Sequence, residues 1–201
     1  LEYRRATTAD CAIVLFAQTP FDKVLGCSNL ELLRYELIWQ KTHPTGHLNA
    51  KKMPMKAHEN ILVFYDKLPI YNPQKTSGHA RKTSVKRRDD TQIYGEQSFG
   101  ELTYDSTDRY PISVLVFPSD KQRTALHPTQ KPVALFEYLI RTYTNEGDTV
   151  LDNCAGSGTT AIAAQKSGRS WICIEKEEQY CEIIAQRVEE FDAKAKQSRF
   201  F

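Results

Sequence analysis

The sequence predicts an α/β fold with a mostly parallel sheet, helices on both faces and one irregular insert. Short, uninterrupted apolar runs are typical of strands buried in a parallel sheet. In the last third of the chain these runs alternate with helical patterns, which is the order of a βαβ arrangement. Between the two halves lies a stretch with few hydrophobic residues. Hydrophobic residues make up 40% of the 201 residues, which is enough for a core.

The first part of the chain is expected to alternate between helices and strands. The first five residues resemble the end of a helix, and because the chain does not begin with Met we expect further sequence before Leu1. Buried strands are predicted at Ala12–Ala17, Tyr35–Trp39 and Ile61–Tyr65, and a helix from Pro20 to about Arg34. Residues 42–58 combine Pro, Gly and several Lys, which predicts a basic loop.

Residues 74–110 form the predicted insert, which separates segments 1–73 and 111–201 of one domain. Basic residues are concentrated in it at Lys75, Arg81, Lys82, Lys86, Arg87 and Arg88. The net charge of +2 does not by itself indicate a nucleic-acid partner. A charge run is also common in solvated segments without a partner.

The last third is regular. A helix is predicted to begin at Pro132, because proline is tolerated in the first turn. Strands are predicted at Val114–Phe117, Thr149–Leu151 and Trp171–Ile174, and helices at Thr159–Ser167 and Glu177–Phe191. The five cysteines show no CxxC pair and no Cys/His cluster at zinc spacing, so we expect reduced thiols and no metal site. No apolar run is long enough to predict a membrane span.

A glycine-containing turn between a strand and a helix is the first candidate site. The predicted strand ends at Asp152, Gly156 and Gly158 follow, and the next strand ends near Glu175. Glycine lets the backbone bend and lets a ligand approach the amides. An acid at the second strand end can accept hydrogen bonds from both hydroxyls of a ribose. An acid at each strand end suits S-adenosylmethionine better than a dinucleotide, and the GxGxxG spacing is absent.

The second candidate is His127-Pro-Thr-Gln-Lys-Pro132, at the start of the helix before that strand. Its spacing alone is equally compatible with a helix-start turn that has no chemical role. The order of HPTQKP, VLDNCAGSGTTAIAA and SWICIEKEEQYCEIIAQRV, however, closely resembles the C-terminal half of amino-DNA methyltransferases of the circularly permuted β group. CAIVLFAQTPF, ELIWQK and HENILVFYDKLPIYNP upstream resemble the same family.

This resemblance implies a Rossmann-like, S-adenosylmethionine-dependent methyltransferase fold in which residues 74–110 are the target-recognition region. It also implies roles for individual residues. Those expected to bind the cofactor are Phe16, Ala17, His127, Thr129, Gln130, Lys131, Asp152, Ala155, Gly156, Ser157, Gly158, Thr159 and Glu175. Those expected to contact DNA are Asn49, Lys51, Lys52, Lys82, Lys86, Arg87 and Arg88. The family's catalytic Asp/Ser/Asn-Pro-Pro-Tyr is absent from the sequence, so the catalytic residues are unknown and are expected N-terminal to Leu1.

The activity implied is methyl transfer to the exocyclic amino group of adenine in double-stranded DNA, with the base flipped out of the duplex. The alternatives are the cytosine amino group, an RNA or small-molecule methyltransferase, and a binding remnant without catalysis. A nicotinamide-dependent dehydrogenase is disfavoured by the glycine spacing. The resemblance further suggests a cytoplasmic protein, with a homodimer and a restriction endonuclease considered as partners.

Overall fold

Five α-helices, eight strands and one short 3₁₀-helix are found in residues 2–86, 102–120 and 130–197, which are those that this computed structural model describes. The helices are α1 Glu2–Ala6, α2 Phe21–Cys27, α3 Val133–Tyr143, α4 Thr159–Lys166 and α5 Glu178–Gln197. The strands are β1 Ile13–Ala17, β2 Leu33–Thr45, β3 Lys56–Phe64, β4 Lys82–Lys86, β5 Leu102–Ser106, β6 Val114–Phe117, β7 Thr149–Asp152 and β8 Ser170–Cys173. No helix among these residues is sufficiently long and apolar to cross a membrane.

The chain divides into two compact units. One consists of Leu1–Asn72 and Ser113–Phe201, and the other of Pro73–Ile112. In the second unit β4 pairs with β5 in antiparallel register, from Lys82 opposite Ser106 to Lys86 opposite Leu102. The expectation of an irregular insert is therefore wrong for its described part, because backbone pairing forms a two-stranded ladder in spite of the polar sequence.

The larger sheet of the first unit has the strand order β1-β3-β2-β6. β3 runs antiparallel to both β1 and β2, and β6 runs parallel to β2. The α/β class is thus confirmed, but the described sheets are mixed rather than mostly parallel. The reason is the direct connection from β2 to β3, which makes a hairpin, and two strands of a hairpin must be antiparallel.

The same hairpin narrows the predicted basic loop at residues 42–58 to residues 46–55. β2 continues to Thr45 and β3 begins at Lys56, and the ten residues between them contain one 3₁₀-helix at His47–Asn49. The helix predicted from Pro20 to Arg34 ends at Cys27, where the Ser28 amide donates to the Val24 and Leu25 carbonyls. The chain then enters β2 at Leu33.

Helices cover both faces of the larger sheet. Alternate residues of β3 point to opposite faces: Ile61 and Val63 pack with Leu135 and Leu139 of α3 on one face. On the other face Leu62 and Phe64 pack with Leu25 of α2. The predicted two-sided arrangement is therefore confirmed.

β7 and β8 form a separate parallel pair, in register from Thr149 opposite Ser170 to Asp152 opposite Cys173. α4 connects the two strands, as predicted for a βαβ unit. Its buried Ala163 and Ala164 pack against Ile140 of α3, while Ala161 packs against Ile184 of α5. Small side chains on α4 let these helices approach closely, and this packing fixes the position of the turn between β7 and α4.

Candidate functional site

The turn between β7 and α4 is held tightly at the carboxyl end of the two parallel strands. The Ile174 amide donates to the Asp152 carbonyl at 2.8 Å, and the Ala155 amide donates to the Ile174 carbonyl at 3.1 Å. Gly156 and Gly158 both have left-handed backbone conformations, with φ of 51° and 77°. Only glycine adopts such angles readily, so the sequence at these two positions is what allows the tight turn.

The Asp152 carboxylate binds the turn that follows it. Its Oδ1 accepts a hydrogen bond from the Cys154 amide at 3.0 Å. Its Oδ2 accepts a short hydrogen bond from the Thr160 hydroxyl, in the first turn of α4. The side chain expected to face a cationic ligand group therefore also connects the end of β7 to the start of α4.

Glu175 has a corresponding place just beyond β8. Its Oε2 accepts a hydrogen bond from the Gly156 amide at 2.7 Å, and its Oε1 accepts from the Lys176 and Glu177 amides at 2.8 and 3.1 Å. The structure thus brings the two predicted acids to the same glycine turn, one from each strand end. Both carboxylates are acceptors of several hydrogen bonds, which is the chemistry required for ribose hydroxyls and an ammonium group.

α5 supports the turn from outside. A Cβ built on Gly158 would lie 2.8 Å from Cγ1 of Ile184, so this glycine is required for packing against α5. The glycines of this turn are expected to leave room for a ligand. At Gly158 the contact shows a different requirement, which is packing against Ile184. The Arg187 guanidinium also donates to the carbonyl and the hydroxyl of Ser157. Burial is the main cause that lowers the pKa of Arg187 below its ordinary value, and the negative charges of Asp120 and Glu190 act in the opposite direction.

The segment before α3 reaches the same turn. Gln130 is buried, and the Lys131 carbonyl accepts a hydrogen bond from the Thr159 hydroxyl at 3.3 Å. The Val133 amide, at the start of α3, donates to Asp120 at 2.9 Å. Lys131 of the predicted HPTQKP segment therefore lies beside the start of α4. His127 and Thr129 of that segment lie outside the described residues.

Lys131 of this segment belongs to a buried charge cluster, whose other members are Lys41 and Glu59. The Glu59 carboxylate binds the Lys41 ammonium at 2.8 Å through Oε1 and the Lys131 ammonium at 2.7 Å through Oε2. Burial alone would raise the pKa of the Glu59 carboxyl, but the hydrogen bonds from Lys131 and Lys41 hold it below its ordinary value. The cluster is therefore charged and carries two cations for one anion.

Two aromatic rings border the charge cluster. The Lys131 ammonium lies 5.6 Å from the ring centre of Phe16 and 5.9 Å from that of Trp39. Phe16 also stacks on Phe136 of α3, with 5.1 Å between ring centres. Ala17, at the end of β1, is buried opposite Asn60. The structure thus links Phe16 to the cofactor-site candidates through Lys131.

The residues predicted to contact DNA are spread over several segments. Asn49, Lys51 and Lys52 lie in the exposed turn between β2 and β3, where the Lys52 amide donates to the Asn49 carbonyl at 2.8 Å. Lys82 and Lys86 lie on β4 of the second unit. Arg87 and Arg88 lie outside the described residues.

Sequence reasoning missed Lys41, Glu59, Thr160 and Arg187 as parts of the site. Weak signals existed for two of them. Lys41 follows Trp39 at the two-residue spacing of a strand face. Arg187 lies three residues after Ile184, on the buried side of α5. Neither spacing says that a charge, rather than another apolar side chain, belongs there.

Comparison with known proteins identifies the family of this chain. The family model described as DNA methylase matches residues 2–186. The chain is 29% identical over 153 residues to the type II methyltransferase M2.DpnII of Streptococcus pneumoniae, covering 76% of this chain and 50% of that protein. It is also 29% identical over 175 residues to the DNA adenine methyltransferase YhdJ of Escherichia coli K12, covering 82% and 55%. The chain therefore spans about half the length of these curated relatives.

Among solved structures, the complex of M1.HpyAVI with SAM superimposes with a TM-score of 0.65 at 23% identity, over 93% of this chain and 78% of that one. This likeness establishes the α/β methyltransferase fold for the described elements. Because the family model covers most of the sequence, including both strand ends and the glycine turn, the chain belongs to the DNA methylase family.

Proposed function

We propose that this protein binds S-adenosylmethionine at the glycine turn and transfers its methyl group to the exocyclic amino group of adenine in double-stranded DNA. The observation that carries the proposal is the convergence of Asp152 and Glu175 on one glycine turn. Two relatives support it: YhdJ is named a DNA adenine methyltransferase, and M1.HpyAVI was solved with SAM.

The side chains present fit this cofactor. Each carboxylate oxygen has two lone-pair sites, so Glu175 can accept from a ribose while it still holds the Gly156 amide. Asp152 offers negative charge for the ammonium of the methionine part. Lys131, which lies beside Thr159, offers a cation for its carboxylate. Phe16 of β1, whose ring centre lies 5.6 Å from the Lys131 ammonium, borders the same proposed site.

When bound, S-adenosylmethionine supplies a methyl group on a sulfonium, which is already a good leaving group. The task of this chain is then to hold the cofactor and the acceptor amine in line and to exclude water, and positioning alone can lower a barrier by about 7–11 kcal/mol. Phe16 offers an aromatic surface beside Lys131 at the end of β1. We propose that the group accepting the hydrogens of the target amine is supplied by sequence preceding Leu1.

DNA contact is proposed for the basic residues. Lys82 and Lys86 with Arg87 and Arg88 of the second unit, together with Asn49, Lys51 and Lys52 of the first, would contact phosphates or base edges. Such contacts make affinity fall steeply with salt. We propose residues 74–110 as the target-recognition region. Because the proposed substrate is DNA, we infer a cytoplasmic site of action, with a homodimer and a restriction endonuclease as candidate partners.

Cofactor titration tests the central claim. Calorimetry should detect binding of S-adenosylmethionine to this chain. Glu175→Ala should weaken that binding by roughly 1–3 kcal/mol, because charged hydrogen bonds are lost. Glu189→Ala on the exposed side of α5 is the control and should bind as the wild type does. Equal affinity of Glu175→Ala and wild type would refute the ribose role.

A methyl-transfer assay tests the substrate, and it uses the full-length protein, which would carry the group proposed to precede Leu1. Radiolabelled methyl groups should appear in duplex DNA, and digestion to nucleosides should place them on adenine. Label on the cytosine amino group instead would correct the base while keeping the reaction. Binding of the cofactor without transfer to any DNA would favour a binding protein over an enzyme.

A further inference from the structure

The buried charge cluster formed by Lys41, Glu59 and Lys131 contains one more cation than its own stability requires. Lys41 and Glu59 are each 7% exposed, whereas the Lys131 side chain is 20% exposed. Removing charges from water is costly, and a single lysine would already neutralise the Glu59 carboxylate. The second lysine leaves a net positive charge inside the protein.

The excess positive charge is accessible at one member of the cluster, Lys131. Among the described residues, Lys131 and Lys41 are the charged groups that hold the pKa of the Glu59 carboxyl down. Of the three side chains, Lys131 is the one that reaches solvent, and its backbone touches Thr159 at the start of α4. The positive charge is therefore presented from the segment that borders the glycine turn.

We propose that Lys41 and Glu59 are positioning residues that keep Lys131 available as a cation for the carboxylate of the ligand's amino-acid part. Glu59 fixes the Lys131 ammonium beside Phe16. Lys41 neutralises the Glu59 carboxylate, which would otherwise cancel the positive charge of Lys131. Without Lys41, the Glu59–Lys131 pair is neutral and attracts no anion. This inference rests on the proposed cofactor site, because it assigns the ligand's carboxylate to one end of it.

The test compares two ligands that differ only in that carboxylate, S-adenosylhomocysteine and its decarboxylated form. Calorimetry of the Lys41→Met variant should give about tenfold weaker binding of S-adenosylhomocysteine, since one net charge near the ligand is lost. Binding of the decarboxylated ligand should stay within about twofold, because its attraction to Lys131 is absent in both proteins. Met matches the length of the lysine stem, and apolar replacement of a buried charge is often tolerated.

The double variant Lys41→Met, Glu59→Gln separates charge from structure. It removes one cation and one anion from the cluster, so Lys131 remains as its one charged side chain and the net charge is again positive. We expect it to recover most of the lost affinity for S-adenosylhomocysteine, because the amide oxygen of glutamine still accepts a hydrogen bond from Lys131 and keeps it in place. If it binds as weakly as Lys41→Met, the loss comes from damaged packing and the inference is overturned. Lys41→Gln, which keeps a hydrogen-bond donor for Glu59, replaces Lys41→Met if that variant does not fold.

Lys166→Met is the matched control. Lys166 belongs to a second group of two cations on one carboxylate, with Glu137 and Arg141, at the far end of α4. Its loss should change neither affinity. If the wild type binds neither ligand, the proposed function fails as a whole. If the wild type binds both ligands equally, or Lys41→Met weakens both equally, the cofactor site stands and only this inference fails.

Discussion

Replacing Gly158 by alanine tests why the glycine turn needs glycine. The added Cβ would meet the Ile184 side chain at 2.8 Å, and the backbone φ of 77° is unfavourable for any residue with a Cβ. The left-handed conformation costs roughly 1–2 kcal/mol. Overpacking against a buried isoleucine adds about 1–3 kcal/mol. The free energy of unfolding should therefore fall by about 2–5 kcal/mol.

Gly147→Ala is the control for backbone strain alone. Gly147 has φ of 86°, but a Cβ there would have no atom within 4 Å. Urea unfolding followed by circular dichroism should show a loss of only about 1–2 kcal/mol. An equal loss for both variants would refute the claim that Gly158 is required for packing on α5.

A variant of Ile184 isolates the steric part of the loss caused by Gly158→Ala. Ile184→Ala alone should cost about 2–4 kcal/mol, because the side chain is buried. In the Gly158→Ala, Ile184→Ala double variant the contacts of 2.8 and 3.1 Å disappear, and only the 3.3 Å contact with the Cβ of residue 184 remains. The double loss should therefore be smaller than the sum of the single losses by about 1–3 kcal/mol. Additive losses would show that the two residues do not interact.

Three further predictions concern the surroundings of the turn. Because the folded pKa of Glu59 is held below its ordinary value of 4.5, its stabilising contribution is present above that pH and is lost as the pH falls below it. Glu59→Gln should therefore be less stable than wild type near neutral pH, and in acid titrations of unfolding the difference should shrink. Burial is the main cause that raises the pKa of Cys173 to about 12. Iodoacetamide should therefore spare Cys173 and alkylate the exposed Cys154. Bound S-adenosylhomocysteine should reduce the alkylation of Cys154. Alkylation of Cys173 at the rate of Cys154, measured by mass spectrometry, would contradict its burial. Arg187→Met should lose the hydrogen bonds to Ser157 and speed amide hydrogen exchange in the glycine turn. Unchanged exchange would mean that Arg187 of α5 does not stabilise this turn.

The last third of the chain could be predicted because its signals are local. Pro132, the apolar spacing after it and the glycine turn each lie within a few residues of the boundary that they determine. The structure places α3 at Val133–Tyr143 and β7 at Thr149–Asp152, within one residue of the predicted starts. Local patterns suffice here because each element follows the previous one in a βαβ order.

The hairpin of β2 and β3 could not be predicted in the same way. The residues that join its strands are basic and include no short turn dipeptide that would indicate a hairpin. Pairing is determined by contacts between distant residues, such as Leu37 opposite Ile61. The charge cluster escaped prediction for a related reason. Glu59 and Lys131 are 72 residues apart, and nothing in the sequence pairs Lys131, which is expected at the cofactor, with Glu59.

The two acids of the glycine turn have a structural role before they have a chemical one. Glu175 accepts hydrogen bonds from three backbone amides, including that of Gly156, and Asp152 accepts from Cys154 and Thr160. Removing either carboxylate would leave amides or a hydroxyl without these partners and would loosen the turn itself. A drop in cofactor affinity after Glu175→Ala is therefore attributable to the ribose contact only if the unliganded turn stays ordered. Amide hydrogen exchange of that variant without ligand separates the two causes, since a loosened turn exchanges faster while a lost ribose contact leaves exchange unchanged.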